Sequence, residues 1–223
     1  WFGYYHVDTS FGDNASDVWD FTNIAHINLY KYYSDMNDID AIAEAYKAHK
    51  LKMLVDLIGR VPPDAYEWQW TLMQACIDRV REHNTEDFDI IAGFYLYDEP
   101  YYNGRSYEDM NSLNETVKAV YPQYPTMIVE ACPLFEDPCY ATLQFPPDID
   151  WIGFDRYLCS NETFAWVIPW YLDRLTAKLA PNQKAWLVPQ SMSGLKTCCG
   201  GNSTDSDTAL KTMQYLFFDV ARN

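Results

Sequence analysis

Short apolar runs rich in β-branched residues recur along this chain at intervals of roughly thirty residues, and each is followed by a stretch with helical periodicity. This alternation is typical of a parallel sheet, because parallel strands need a crossover connection that is usually a helix. The predicted strands are Phe2–Val7, Ile24–Leu29, Lys52–Leu57, Ile91–Tyr97, Thr126–Glu130, Trp151–Phe154 and Ala185–Val188. The predicted helices are Ile39–His49, Ala65–His83, Tyr107–Val120, Phe164–Leu179 and Thr208–Ala221.

Two α/β architectures fit such an alternation, and the pattern of glycines distinguishes between them. The chain has 9 glycines and none forms the GxGxxG phosphate-binding turn that usually follows the first strand of a doubly wound sheet. The pattern therefore favours a (β/α)8 TIM barrel. Such barrels typically need about 250 residues, whereas this chain has 223. We expect a single barrel domain over residues 1–223, truncated at its C-terminal end so that the last strand and helix are missing.

The charge balance excludes two classes of partner. With 16 Lys and Arg against 32 Asp and Glu, the net charge of −16 repels phosphate backbones and anionic lipid headgroups. We therefore expect no nucleic-acid partner. No segment approaches the roughly 20 apolar residues that span a bilayer, so a membrane span is not expected. The oligomeric state stays open.

The cysteines and the glycosylation sequons indicate the compartment. None of the 6 cysteines has the paired spacing of a zinc site, so disulfides are expected, Cys132 with Cys139 first and Cys159 with Cys198 or its neighbour second. Cys76 is interpreted as a buried thiol. The Asn-x-Ser/Thr sequons lie in polar segments, at Asn14, Asn114, Asn161 and Asn202. Together these features predict a secreted or cell-surface glycoprotein.

Polar side chains collect where the predicted strands end, which is where active sites lie in (β/α)8 barrels. In the run FYLYDEP the fourth strand delivers Asp98 and Glu99 into a turn at Pro100. Adjacent carboxyl groups raise one pKa, as a general acid needs near neutral pH, provided that a bulge turns both side chains inward. The alternative is that Asp98 caps a helix or pairs with Arg105 and that Glu99 is a solvated loop acid. The candidate substrate-binding residues are Asn28, Tyr101, Glu130, Asp155, Tyr157 and Gln190.

Two of these segments resemble a known family. FYLYDEP resembles the Asn-Glu-Pro segment of clan A (β/α)8 glycoside hydrolases, and WIGFDRY resembles their sixth strand, which ends in an aromatic residue beside the site. The resemblance implies that Glu99 is the acid/base and that Asp98 replaces the Asn that contacts a sugar hydroxyl. It also implies that Tyr157 lies near the anomeric carbon.

The seventh strand departs from the family pattern. Where the family has a nucleophilic Glu, the run KAWLVPQSM offers Gln190, whose amide cannot attack an anomeric carbon. Three readings remain open. Glu130 or Asp155 is the base of an inverting reaction; or a substrate acetamido group is the nucleophile, assisted by Asp98 and Glu99; or catalysis is lost and the barrel binds glycans or is structural. The chitinase signature DxxDxDxE is absent, so that assignment is not supported.

The positions of several tryptophans, tyrosines and histidines lead to further predictions. Trp68 and Trp70 are expected to pack against the sheet, whereas Tyr101 and Tyr102, in the loop after the fourth strand, are better placed to contact a sugar. The 4 histidines form no ligand cluster, and His6 and His26 are interpreted as core or rim residues. We expect no metal and no cofactor, and a glycan as substrate or ligand.

Overall fold

The computed structural model describes residues 3–4, 23–131, 141–156 and 161–189. These residues form seven β-strands: β1 (Gly3–Tyr4), β2 (Ile24–Ile27), β3 (Lys52–Asp56), β4 (Ile91–Asp98), β5 (Thr126–Ala131), β6 (Trp151–Arg156) and β7 (Lys184–Pro189). They also form a 3-10 helix, Leu29–Tyr32, and four α-helices: α1 (Met36–Ala48), α2 (Glu67–Arg81), α3 (Tyr107–Val120) and α4 (Asn161–Thr176). The predicted helix Thr208–Ala221 lies outside the described residues.

The helices begin and end close to the predicted positions. The predicted bounds of α3 are confirmed, and its buried residues Met110, Leu113, Asn114 and Val117 recur at helical spacing. Helix α1 begins three residues before the predicted start, because Asp35 is its N-cap and accepts a hydrogen bond from the backbone N–H of Asn37 at 2.9 Å.

The described residues group into two compact units. The first unit contains Trp1–Asp98 and Glu108–Met127, and the second contains Glu99–Tyr107 and Ile128–Asn223. The single domain expected over 1–223 stays a prediction.

In the first unit each strand pairs with the next one along the chain, in the order β1-β2-β3-β4. All three pairs are parallel. One face of β4 packs on the end of α3, where the ring of Phe94 lies 5.3 Å from that of Tyr121. Side chains alternate along a strand, so the neighbouring residue Tyr95 points to the opposite face, in register with Asp56.

The second unit repeats this arrangement. Its strands follow the order β5-β6-β7, and β6 pairs in parallel with β7 along its whole length, from Trp151 opposite Lys184 to Arg156 opposite Pro189. Helix α4 connects them, and Tyr171 on this helix packs against Phe154 on β6, with ring centroids 5.8 Å apart. The predicted α/β alternation with a parallel sheet is confirmed in both units. Closure into a (β/α)8 barrel stays a prediction.

Candidate functional site

In the first unit the ends of β2 and β3 bring two polar side chains, those of Asn28 and His26, together around Asp56. Asn28 donates a hydrogen bond from its amide nitrogen to Oδ2 of Asp56 at 3.3 Å, and Nε2 of His26 lies 3.8 Å from the same oxygen. The other oxygen, Oδ1, accepts a hydrogen bond from the backbone N–H of Ile58 at 2.8 Å. The predicted binding residue Asn28 therefore lies at a strand end and orients a buried carboxylate.

The end of β4 adds Asp98 to the polar groups of the first unit. The hydroxyl of Tyr95 donates to Oδ1 of Asp98 at 2.7 Å, and the Tyr95 ring meets the His26 ring edge-on at 5.0 Å. Because Tyr95 is fully buried, its hydroxyl holds the half-buried Asp98 carboxyl in one position.

Sequence reasoning placed Asp56 at the end of the third strand but did not assign Tyr95 or His26 to the site. The signal that identifies Tyr95 is the period of two along β4, because it shares a face with Tyr97 and lies in register with the strand-end residue Asp56.

Glu99 is the first residue after β4, and its backbone leaves the strand conformation. Its φ is 49°, in the left-handed region, which is strained for a residue with a Cβ. Two backbone hydrogen bonds hold it there: its N–H donates to the carbonyl of Val129 at 2.6 Å, and its carbonyl accepts from the N–H of Asn103 at 2.9 Å. The Glu99 side chain is half-buried. Thus the chain turns at Glu99 through a residue in the left-handed conformation.

Glu130, on β5, is the acid whose pKa is raised. Its side chain is fully buried, and its Oε1 accepts a hydrogen bond from the backbone N–H of Tyr101 at 3.1 Å. Burial raises the pKa of Glu130 to about 8, and the nearby charge of Glu99 adds to this, while backbone hydrogen bonds from Tyr101, Ala131 and Tyr102 lower it. Glu130 is therefore protonated at neutral pH.

The burial of Glu130 corrects its expected role. We expected it to contact substrate or to activate water, but a fully buried side chain can do neither in this conformation. Its hydrogen bond to Tyr101 instead fixes the loop that follows Glu99. Glu130 is a positioning residue for that loop.

The neighbouring residues Tyr101 and Tyr102 lie in different environments. We expected both in an exposed loop, yet Tyr101 is 5% exposed, with its ring 5.8 Å from that of Phe145, whereas Tyr102 is 53% exposed. Asp155, on β6, is also buried, at 5% exposure. Tyr157 and Gln190 lie outside the described residues.

The structure corrects the expected surface position of one sequon. Asn114 is 1% exposed, and its Oδ1 accepts a hydrogen bond from the hydroxyl of Thr126 at 2.7 Å. The prediction is wrong because Asn114 belongs to the apolar stripe by which α3 packs inward. Asn161 is the first residue of α4. The remaining modification sites lie outside the described residues: Asn14, Asn202, Cys132, Cys139, Cys159 and Cys198.

Three other expectations are decided by burial. Cys76 is a buried free thiol, as predicted, and burial raises its pKa to about 11. Trp70 packs inward as predicted, at 4% exposure. The same prediction is wrong for Trp68, which is 59% exposed because it lies two residues from the buried Trp70 and therefore on the opposite side of α2.

Among the residues that the structure describes, no group of three or more His, Cys, Asp or Glu side chains is placed so that it could hold a metal ion. Within the same residues, no helix combines the length and the apolar character that crossing a bilayer requires.

Comparison with known proteins gives a similarity of fold. No family model matches the sequence, and no curated protein matches it. Among solved structures, the chain is similar to an active-site mutant of β-1,3-glucanosyltransferase from Rhizomucor miehei in complex with laminaritriose, with a TM-score of 0.54 and 10% identity. The match covers 78% of this chain and 61% of that one, so this chain spans less than two thirds of the length of that protein. At this identity the likeness shows a similar fold alone.

Proposed function

We propose that the protein hydrolyses glycosidic bonds in an oligo- or polysaccharide, with Glu99 as the general acid. The observation that carries the proposal is the position of Glu99. It lies directly after β4, half-buried, in a left-handed conformation that two backbone hydrogen bonds hold in place. Strained residues of this kind cluster at functional sites. The likeness in fold to a glucanosyltransferase solved with a bound glycan supports the same class of substrate.

The chemistry assigned to Glu99 is proton transfer. The carboxyl group donates its proton to the glycosidic oxygen while the bond from that oxygen to the anomeric carbon breaks, so the sugar leaves as an alcohol. The nucleophile is water or the acetamido oxygen of an N-acetylated sugar. When water attacks the anomeric carbon, Asp98 accepts the proton that the water loses. When the acetamido oxygen attacks, Asp98 orients that group, and water then opens the cyclic product and returns a proton to Glu99. Tyr95 is the positioning residue that holds Asp98 through its hydroxyl.

A second candidate function is glycan binding without hydrolysis. It is favoured by the burial of the two acids that could have served as the base, since Glu130 is fully buried and Asp155 is 5% exposed. On this reading the strand ends recognise a sugar without cleaving it, as an extracellular binding or structural glycoprotein would.

Release of reducing ends from α- and β-linked oligosaccharides, including N-acetylated ones, tests the proposal. The wild-type protein is compared with Glu99→Gln, which keeps the shape of the side chain and removes its proton. Glu86→Gln is the matched control, because it makes the same charge change at an exposed residue before β4. We expect activity in the wild type and the control, and a loss of about 100-fold or more in Glu99→Gln. Full activity in folded Glu99→Gln refutes the acid role, and no hydrolysis by folded wild type leaves the binding function.

We infer further that the protein works outside the cytosol as a glycoprotein with disulfides. Support comes from the 6 cysteines and from the sequons at Asn14, Asn161 and Asn202. Peptide mapping by mass spectrometry of protein from a eukaryotic host tests this. Glycans are expected at one or more of these three sites and none at Asn114, and a chain with free thiols throughout and no glycan contradicts the inference.

A further inference from the structure

Two tyrosines and an arginine are in contact at the carboxyl ends of β2 and β3 in the first unit. Tyr30 lies in the 3-10 helix that follows β2, Tyr33 is the residue after that helix, and Arg60 lies in the loop that follows β3. These three residues are called the Tyr-Arg cluster below. In parallel sheets, ligands bind at the edge formed by the carboxyl ends of the strands. The chemistry assigned to Glu99 and Asp98 does not involve the cluster.

The 3-10 helix brings the two tyrosine rings together. Residues three apart eclipse in such a helix, and the rings of Tyr30 and Tyr33 accordingly have centroids 4.9 Å apart, with an angle of 37° between their planes. Tyr30 is half-buried, whereas Tyr33 is 44% exposed. The Tyr33 ring therefore presents aromatic surface to solvent.

Arg60 adds hydrogen-bond donors beside these rings. Its guanidinium carbon lies 4.1 Å from the centroid of the Tyr30 ring, within the range of a cation–π contact. Within the described residues, its one side-chain hydrogen bond runs from Nη1 to the carbonyl of Gly59, at 3.0 Å. Nε is buried without a hydrogen-bond partner in that part of the chain, whereas Nη2 is not buried. Nη2 can therefore donate to a ligand.

The loop that carries Arg60 is fixed by short-range hydrogen bonds. The N–H of Ile58 donates to Oδ1 of Asp56 at 2.8 Å, and the N–H of Arg60 donates to the carbonyl of Leu57 at 2.9 Å. Gly59 has φ +63°, a left-handed conformation that residues with a Cβ rarely adopt. The backbone at Arg60 is therefore set before any ligand binds.

The charges at this edge suit a neutral ligand better than an acidic one. Asp56 and Asp98, at the ends of β3 and β4, place two carboxyl groups at the same edge of the sheet as Arg60. The whole chain carries twice as many acidic as basic residues. Because like charges repel, an anionic ligand is disfavoured here. The guanidinium is therefore suited to donate hydrogen bonds to neutral oxygen atoms.

We propose that the Tyr-Arg cluster binds a neutral sugar residue of a glycan. The Tyr33 ring packs against the C–H face of the sugar, and Nη2 of Arg60 donates to one of its hydroxyl oxygens. The inference rests on the proposed function, because it names the class of glycan, one without carboxylate or sulfate groups, that the protein acts on. Tyr33 and Arg60 then determine specificity, and Tyr30 is the positioning residue that holds the guanidinium.

A glycan array probed with the Glu99→Gln protein tests the inference without consuming the ligand. The array carries α- and β-linked oligosaccharides of glucose, galactose, mannose and N-acetylglucosamine, together with the uronic acids of the first three. We expect binding to neutral oligosaccharides and binding about tenfold or more weaker to the matching uronic acids. Calorimetric titration then gives the affinity for the neutral probe that binds best.

Matched variants, each added to Glu99→Gln, assign the binding to the cluster. Tyr33→Ala removes the ring and is expected to weaken binding of the best neutral probe by about tenfold, whereas Tyr33→Phe keeps the ring and retains most of the affinity. Arg60→Gln is expected to weaken binding by about tenfold or more, the effect of losing a hydrogen bond from a charged donor. Arg174→Gln is the control and leaves the affinity unchanged, because Arg174 also lies over an aromatic ring, that of Trp170 at 3.8 Å, but on α4.

The outcomes separate this inference from the proposed function. Circular dichroism and thermal unfolding verify that each variant folds, and the exposed Tyr33 carries the test if Arg60→Gln does not fold. No binding of any neutral probe, stronger binding of the uronic acids, or an unchanged affinity in folded Tyr33→Ala overturns the inference. If the wild type hydrolyses a glycan and Tyr33→Ala does so with the same KM, the inference alone fails. Conversely, neutral binding through Tyr33 without hydrolysis of any substrate leaves the inference standing and refutes the hydrolase.

Discussion

Replacement of Glu130 by Gln separates the charge of this buried side chain from its shape, because Gln is the closest match to a protonated Glu. The folded protein holds Glu130 with a pKa of about 8, against an ordinary value of 4.5. Between these two pH values the folded chain binds a proton that the unfolded chain has released, so stability falls as pH rises. Below 4.5 both states are protonated, and the stabilising contribution is fully present.

The magnitude follows from the pKa difference. One pKa unit corresponds to about 1.4 kcal/mol, so raising the pH from well below 4.5 to well above 8 lowers the free energy of unfolding by about 5 kcal/mol through this group alone. At pH 7 the loss is about 3 kcal/mol. Glu130→Gln keeps an oxygen for the N–H of Tyr101 and has no proton to lose. We therefore expect the variant to be more stable than wild type by about 3 kcal/mol at pH 7 and equal to it near pH 4.5.

Urea unfolding followed by tryptophan fluorescence at pH 5, 6, 7 and 8 measures this difference. Glu86→Gln, at an exposed position, serves as the control and is expected to follow the wild type at every pH. A stability difference between Glu130→Gln and wild type that stays constant with pH would refute the reasoning, because it would mean that Glu130 titrates alike in the folded and unfolded chains.

Three further predictions test other parts of the structure. Thr126→Val leaves the buried oxygen of Asn114 without its donor and is expected to lower the free energy of unfolding by about 1–3 kcal/mol, while Thr126→Ser keeps the hydroxyl and loses less; chemical denaturation compares them. Lys50→Gly, at φ 53° after α1, is expected to stabilise the protein by about 1 kcal/mol, and a lower melting temperature would contradict this. His83 contacts the carboxylates of Asp40 and Glu44 at 2.9 and 2.7 Å, and both contacts raise its pKa. NMR titration should place this pKa above 6.5. The stability that the contacts add should be fully present below pH 6.5 and should decline as the pH rises through the shifted pKa.

Local periodicity accounts for what could be predicted from the sequence. Strand β3 and helix α3 depend on patterns within a few neighbouring residues, a short apolar run in one case and apolar residues at helical spacing in the other. The bounds of α3 were predicted without error, and those of β3 within one residue. The position of Glu99 at the end of β4 follows in the same way, because the end of an apolar run is visible in the sequence.

The environments of individual side chains required the tertiary structure. Glu130 and Tyr101 are 29 residues apart in sequence, and Asn28 and Asp56 are 28 apart, so no local pattern reveals that they are hydrogen-bonded. The raised pKa lies on Glu130 because distant segments exclude water from it.

The sequence by itself determined the order of strands and helices and the residues that follow each strand. Those features arise from periodicity and from the rule that consecutive parallel strands lie side by side. The tertiary structure alone decided that Glu130 is buried and that Asn114 faces inward. The physical reason is that burial, and with it protonation and accessibility, depends on which remote residues surround a side chain.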